Sequence, residues 1–206
     1  MPPSSNCGPS PKQAIDFLTT LTALKETKRT GWVRSGIAGP ESISDHMYRM
    51  GMMSLLVRDL DVDFRRCMEL ALVHDVAESV VGDITPHCGV SDADKERLER
   101  AAIQGLAERL GGGMRSEEGA EPRLNSVPEA LKELWEEYEA GSTKEAALVK
   151  DFDKLEMILQ AAEYEQSRGS LLEGFFESTK DKWRTELGRA WAEEIVSRRP
   201  EQSVDA

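Results

Sequence analysis

LALVHDVAESVVGDITP, residues 70–86, decides how this chain is read. His74 and Asp75 stand side by side, Glu78 follows His74 by about one helical turn, and Asp83 comes directly after Gly82. The residues leading in, Met68, Leu70, Ala71, Leu72 and Val73, are apolar enough to be buried. A histidine and three carboxylates at the end of a buried helix cost free energy unless they are paired or bind a metal ion. That cost marks a site. Asp63 is placed to cap this helix, which the periodicity carries to roughly Val80 before Gly82 breaks it and Asp83-Ile84-Thr85-Pro86 turns.

Upstream, Ser44 can cap a helix over about Asp45–Leu60, with Met47, Met50, Leu55 and Leu56 among its core positions and His46 in its first turn. Before it lies KRTGWVRSGIAGPES, residues 28–42, a glycine-rich stretch without helical pattern. Trp32 there is either an anchor for a solvated loop or part of a cationic lip over a pocket, formed with Lys28, Arg29 and Arg34. Ile15, Leu18, Leu21, Thr22 and Leu24-Lys25 trace an earlier helix that ends near Lys28. Downstream, helices are expected over Ser91–Leu110, Pro128–Tyr138 and Thr143–Gln166, with a final helix or pair over Leu171–Val196. MRSEEGAEPRLNS, residues 114–126, reads as a polar loop. In the longest helix Leu148, Val149, Phe152, Leu155, Ile158 and Leu159 face the core, and Asp151 lies among them. No strand alternation and no repeat is visible, so the expected fold is all-α, a globular helical bundle.

A chain of 206 residues suggests one domain, here 12–197, with a disordered lead-in over 1–11 and a frayed tail over 198–206. A formal charge of −12 argues against a nucleic-acid polymer as partner, though not against a small phosphorylated ligand. Cys7, Cys67 and Cys88 are odd in number and lack a CxxC spacing, which fits a reducing compartment. No apolar run reaches the ~18 residues of a membrane span. The N-terminus carries no signal pattern, and the expected location is cytoplasmic.

A metal needs deprotonated nitrogen and oxygen donors converging from separate elements. His46 begins one helix, His74-Asp75 end another, and Asp151 interrupts the apolar face of a third, unless it is taken by a salt bridge with Lys150 or Lys154. This order of residues resembles the HD-domain superfamily of metal-dependent phosphohydrolases. ESISDHMYRM, ALVHDVAESVVGDITP and KDFDKLEMILQAAEYE narrow the resemblance to the HD-domain 5′-deoxynucleotidases, over roughly Phe17 to Trp191.

The resemblance implies a helical fold, a homodimer, and metal-dependent hydrolysis of deoxyribonucleoside 5′-monophosphates to deoxynucleoside and phosphate. By position it implies His46, His74, Asp75 and Asp151 as metal ligands, and Glu78 and Asp83 as the acidic residues beside the metal. Trp32 matches an aromatic that crowds the ribose 2′ position. In the bacterial branch an arginine directly precedes that tryptophan, whereas Gly31 does here. Arg29 or Arg34 is then left to contact the phosphate, with Thr85, Pro86 and His87 beside the substrate. His87 is a bystander, a phosphate contact or an accessory ligand. Glu78 can orient or deprotonate the attacking water, and Asp83 can hold the sugar 3′-hydroxyl or assist proton transfer to the leaving 5′-oxygen. Alternatively Glu78, Asp83 and the Ile84 carbonyl hold a second ion such as Mg²⁺. The first site suits Co²⁺, Mn²⁺, Fe²⁺, Zn²⁺ or Mg²⁺. Trp135, Tyr138, Trp183 and Trp191 offer more aromatic surface than a small bundle readily buries, which also suggests the homodimer.

Overall fold

The computed structural model describes residues 8–112, 126–169 and 171–199. Most of the expected lead-in, nearly all of the polar loop after Gly113 and most of the expected tail lie outside these residues. Among the described residues the chain forms α1 (Pro11–Thr20), α2 (Thr22–Glu26), α3 (Thr30–Arg34), α4 (Ile43–Leu56), α5 (Phe64–Val73), α6 (Glu78–Val81), α7 (Asp92–Ala107), α8 (Val127–Ala140), α9 (Lys144–Arg168), α10 (Glu173–Thr179) and α11 (Glu186–Ser197). Their one extended pairing is an isolated bridge between Lys28 and Ser42, so the fold is all-α.

Local chemistry sets the boundaries that matter for the site. α4 begins earlier than the sequence suggests, because Ser42, not Ser44, caps it. The Ser42 hydroxyl accepts from Asp45 N while the Asp45 carboxylate accepts from Ser42 N, which satisfies donors that the first turn leaves free. Asp63 caps α5 as expected, accepting from Arg65 N and Arg66 N. α5 does not continue to Val80. After His74 the backbone tightens: Val76 N bonds Val73 O, Glu78 N bonds Asp75 O and Ser79 N bonds Val76 O. These i→i−3 bonds wind the chain at about three residues per turn and change which side chains share a face. Gly82, with φ 76°, then ends α6 in the left-handed region that glycine enters without a Cβ clash. The stretch expected as an open loop contains α3, and Trp32 on it is buried. The last pattern is a pair, α10 and α11.

α9, 25 residues long, is the central strut, and α4, α5, α8, α10 and α11 all pack on it. Two apolar clusters share the interior. One gathers Met50, Leu70, Ala71, Val149, Phe152, Leu155 and Ile158. The other gathers Ile43, Met47, Val76, Ala77, Ile103, Leu106 and Trp135. His46 falls between Ile43 and Met50 on α4, and His74 between Ala71 and Val76, so both imidazoles sit where the two cores meet. Leu55 and Leu56, expected in the core, turn outward; α4 is one-sided here, and Leu56 is 71% exposed.

Candidate metal centre

Each imidazole is fixed by its Nδ1. His74 Nδ1 lies 2.9 Å from the Ala71 carbonyl oxygen, an atom that can only accept. Nδ1 therefore carries a proton, and Nε2 is the nitrogen turned to the carboxylates. His46 Nδ1 lies 2.6 Å from Glu156 Oε2, both side chains fully buried. A carboxylate behind a histidine in this way raises the ring's basicity and fixes its direction. Both Nε2 atoms are buried without a hydrogen-bond partner. His46 Nε2 stands 3.3 Å from Asp153 Oδ1 and 3.8 Å from Asp75 Oδ2, and His74 Nε2 stands 3.1 Å from Asp75 Oδ2. His46, His74 and Asp153 offer donor atoms that all lie within 4.8 Å of one another. Two orphaned nitrogens aimed at two carboxylates form a donor set that could hold a divalent ion.

The aspartate on α9 is Asp153, not Asp151. Asp151 is fully buried, but its carboxylate turns away to the start of α11, accepting from Arg184 N at 3.0 Å, Thr185 N at 2.8 Å and Thr185 Oγ1 at 2.8 Å. Lys154 Nζ adds an ion pair at 3.0 Å, so the salt-bridge reading of Asp151 is the one realised. A Cβ at Gly188 would overlap this carboxylate, so glycine in the first turn of α11 is what lets it enter. Two residues along the helix point about 200° apart, and Asp153 faces the histidines instead. Its other oxygen, Oδ2, accepts from Tyr138 at 2.9 Å, and the Tyr138 ring lies 4.9 Å from that of His74. Asp153, Glu156 and Tyr138 are the residues that sequence reasoning missed. The signal was an i,i+3 pair of acids on one face, each meeting a different nitrogen of His46.

The cluster carries an excess of negative charge. Burial and Arg29 push the His46 imidazolium down, but the facing carboxylates of Asp153 and Glu156 outweigh them and hold it up to about 9. Burial also pushes Asp75 and Asp153 up, yet the histidines and Arg29 hold both below the usual carboxylate range. Glu78 behaves oppositely: burial first, then Asp75 and Asp83, push its carboxyl well above the ordinary range. Its Oε2 is buried and unpartnered. Arg29 is the local counter-charge, with Nη1 3.4 Å from Asp75 and Nη2 3.9 Å from Asp153.

A cavity of about 590 Å³ opens beside the cluster, and Arg29 and Asp83 belong to its wall. Small-molecule sites commonly span about 300–1,000 Å³. Trp32, Arg34, Thr85, Pro86 and His87 also line it, so the structure gathers the expected substrate residues around one space. Their parts differ. Arg34 sits on the exposed rim and donates to the His87 carbonyl at 2.9 Å. Trp32 is only 1% exposed: its Nε1 donates to Glu41 at 2.8 Å, and its ring is covered by Tyr164 and Phe175. Asp83 Oδ2 accepts from Thr30 N at 2.6 Å, which ties the start of α3 to the turn holding Ile84.

The sequence profile described as "HD domain" matches residues 21–195. The 5′-deoxynucleotidase HDDC2 of Danio rerio is 47% identical over 171 residues, covering 82% of this chain and 79% of the relative. The 5′-deoxynucleotidase hdd1 of Schizosaccharomyces pombe is 47% identical over 152 residues, covering 74% of this chain and 72% of the relative. Among solved structures, the PH0347 protein of Pyrococcus horikoshii OT3 superposes with a TM-score of 0.69 at 29% identity, covering 89% of this chain and 96% of that one. Histidines on two helices and an aspartate on a third thus stand inside a match that runs through most of the molecule, and the chain belongs to the HD-domain family.

Proposed function

We propose that the protein is a metal-dependent phosphomonoesterase that hydrolyses deoxyribonucleoside 5′-monophosphates, the activity named for its relatives. The observation that carries this reading is the junction of donor cluster and cavity: Arg29 pairs with Asp75 and also lines the cavity. His46, His74, Asp75 and Asp153 would hold the ion. It supplies positive charge that offsets the phosphoryl group and makes water more acidic. The mixed nitrogen and oxygen donors suit a transition ion such as Mn²⁺, Fe²⁺ or Co²⁺ better than Mg²⁺.

Arg29 is the phosphate anchor, because it alone of the two candidate arginines reaches the cluster; Arg34 is turned to the rim. Glu78 takes the proton of the attacking water, as a buried carboxylate with an unpartnered oxygen beside Asp75 is suited to do. Asp83 keeps one oxygen for the sugar 3′-hydroxyl or the leaving oxygen, since Thr30 N takes the other. That commitment favours a proton-transfer or positioning role over a second ion at Glu78, Asp83 and Ile84. The wall formed by Gly31, Trp32 and Phe175 offers no side-chain partner to a 2′-hydroxyl, because the indole N–H is committed to Glu41. A hydroxyl left unpaired costs about tenfold to a few hundredfold in kcat/KM.

The test is phosphate release from dAMP, AMP and a phosphate ester without a nucleoside, each with Mn²⁺ or Co²⁺. Faster hydrolysis of dAMP than of both others is expected. Equal rates on AMP and dAMP would remove the sugar selection, and preference for the simple ester would replace the deoxynucleotide reading.

The homodimer is part of the same proposal, on different grounds from those read in the sequence. Trp135 and Tyr138 are buried inside the monomer and offer no such surface. Among the described residues α4 presents an exposed apolar face, with Tyr48, Met52, Leu55 and Leu56 exposed at helical spacing and Leu72 of α5 exposed as well. Light scattering at micromolar concentration should give twice the chain mass; a monomer mass would refute it.

A further inference from the structure

We propose that Phe175 selects for a nucleobase: carried on α10 over Gly31 and packed on Trp32, its ring is the platform on which the base of the substrate stacks. This rests on the deoxynucleotide reading above and names a residue that the sequence motifs do not touch.

Three observations support it. The Phe175 ring lies with its centroid 4.2 Å from that of Trp32, tilted by 33°, so a ring held rigid by a buried partner faces the cavity. Phe175 lines that cavity with Gly174 and Ser178, while Arg29 and Asp83 line it beside the metal cluster. A phosphate anchored at Arg29 therefore has the rest of its molecule directed along the Gly31–Trp32 wall. At Gly31 a Cβ would come within 3.2 Å of Phe175 Cε1, tighter than ordinary contact, so any larger residue there would displace the ring. Gly31 and Phe175 thus form one device: the glycine makes the space and the ring fills it.

The chemistry of the wall also limits what it reads. Stacking on an aromatic face accepts any base, because every base has a π-face. The polar side chains lining the cavity away from Arg29 and Asp83 are Arg34, Ser35, Thr85, His87 and Ser178, and Arg34 is already held by the His87 carbonyl. The site should therefore favour nucleotides over base-free sugar phosphates without strong choice among bases.

The test compares dAMP with 2-deoxyribose 5-phosphate, which keeps phosphate and sugar and lacks the base. Wild-type protein should prefer dAMP by about 10- to 100-fold in kcat/KM, mainly through KM, the scale of one base–aromatic stack. In Phe175→Ala and Phe175→Leu that preference should collapse towards one, and in Phe175→Tyr it should return. Phe175→Leu retains apolar bulk under Trp32, so it separates stacking from folding; a merely structural role would lower both esters together and leave their ratio fixed. An unchanged ratio in Phe175→Leu, or no preference in the wild type, overturns the proposal while leaving deoxynucleotidase activity standing. If neither ester is hydrolysed by wild-type protein with Mn²⁺ or Co²⁺, the deoxynucleotide reading fails and this proposal fails with it.

Discussion

Asp153→Asn should lose the bound ion and nearly all phosphate release, whereas Asp151→Ala should keep both and lose stability. The two residues sit on either side of Phe152 and look alike in sequence, so the pair is a sharp contrast. Asp153 faces His46 Nε2 at 3.3 Å. Removing its charge strikes the donor set itself, and the loss should exceed the roughly 10–100-fold cost of removing a mere outer-shell partner. Asparagine keeps the volume and can still accept from Tyr138, so the fold should survive. Asp151 instead holds Arg184 N, Thr185 N and the Thr185 hydroxyl at the start of α11. Its removal leaves buried donors unpaired and should cost about 2–4 kcal/mol of unfolding free energy. Elemental analysis and thermal unfolding of both variants check this. Full metal occupancy in Asp153→Asn, or metal loss in a folded Asp151→Ala, would reverse the assignment.

Glu78→Gln should keep the ion and the fold while kcat falls by about 10²–10⁴, the usual contribution of a positioned acid or base. The side chain is buried with Oε2 unpartnered, so the wild-type carboxyl spends free energy on a place that packing alone does not require. Its pKa is raised chiefly by burial, then by Asp75 and Asp83; a cation held by Asp75 would offset part of that repulsion and favour the ionised form that accepts a proton. The amide is isosteric and cannot take a proton from water. A variant that retains most of its kcat would remove Glu78 from the mechanism.

Most of the helices were legible because capping chemistry and apolar spacing are local. Asp63 caps where it was expected to, and Thr143, expected as the first residue of the longest helix, is its cap. His46, His74 and Asp75 were legible for a different reason: charged donors inside apolar runs need a compensating partner. What failed depended on contacts distant in sequence. Periodicity continues through Val76 and Val81, so nothing local announces the tightening after His74 that separates α5 from α6. The segment around Phe152 carries an aspartate on each side, and only the position of α11 decides which one is consumed as a cap. Trp32 looked like a loop residue because Tyr164 and Phe175, which cover its ring, come from segments distant in sequence. Phe175 had no signal beyond being aromatic, since its place above Gly31 is set by the packing of α10 on α9.

Phosphate release from a deoxynucleotide should depend on one divalent ion held by His46, His74, Asp75 and Asp153. The direct measurement is to strip the wild-type protein with a chelator, remove the chelator, and titrate Mn²⁺ or Co²⁺ back while following both bound metal and hydrolysis of dAMP. Stripped protein should be folded and inactive, and activity should return in proportion to a first equivalent of ion per chain. Stripped, metal-free protein that hydrolyses dAMP at the full rate would contradict it.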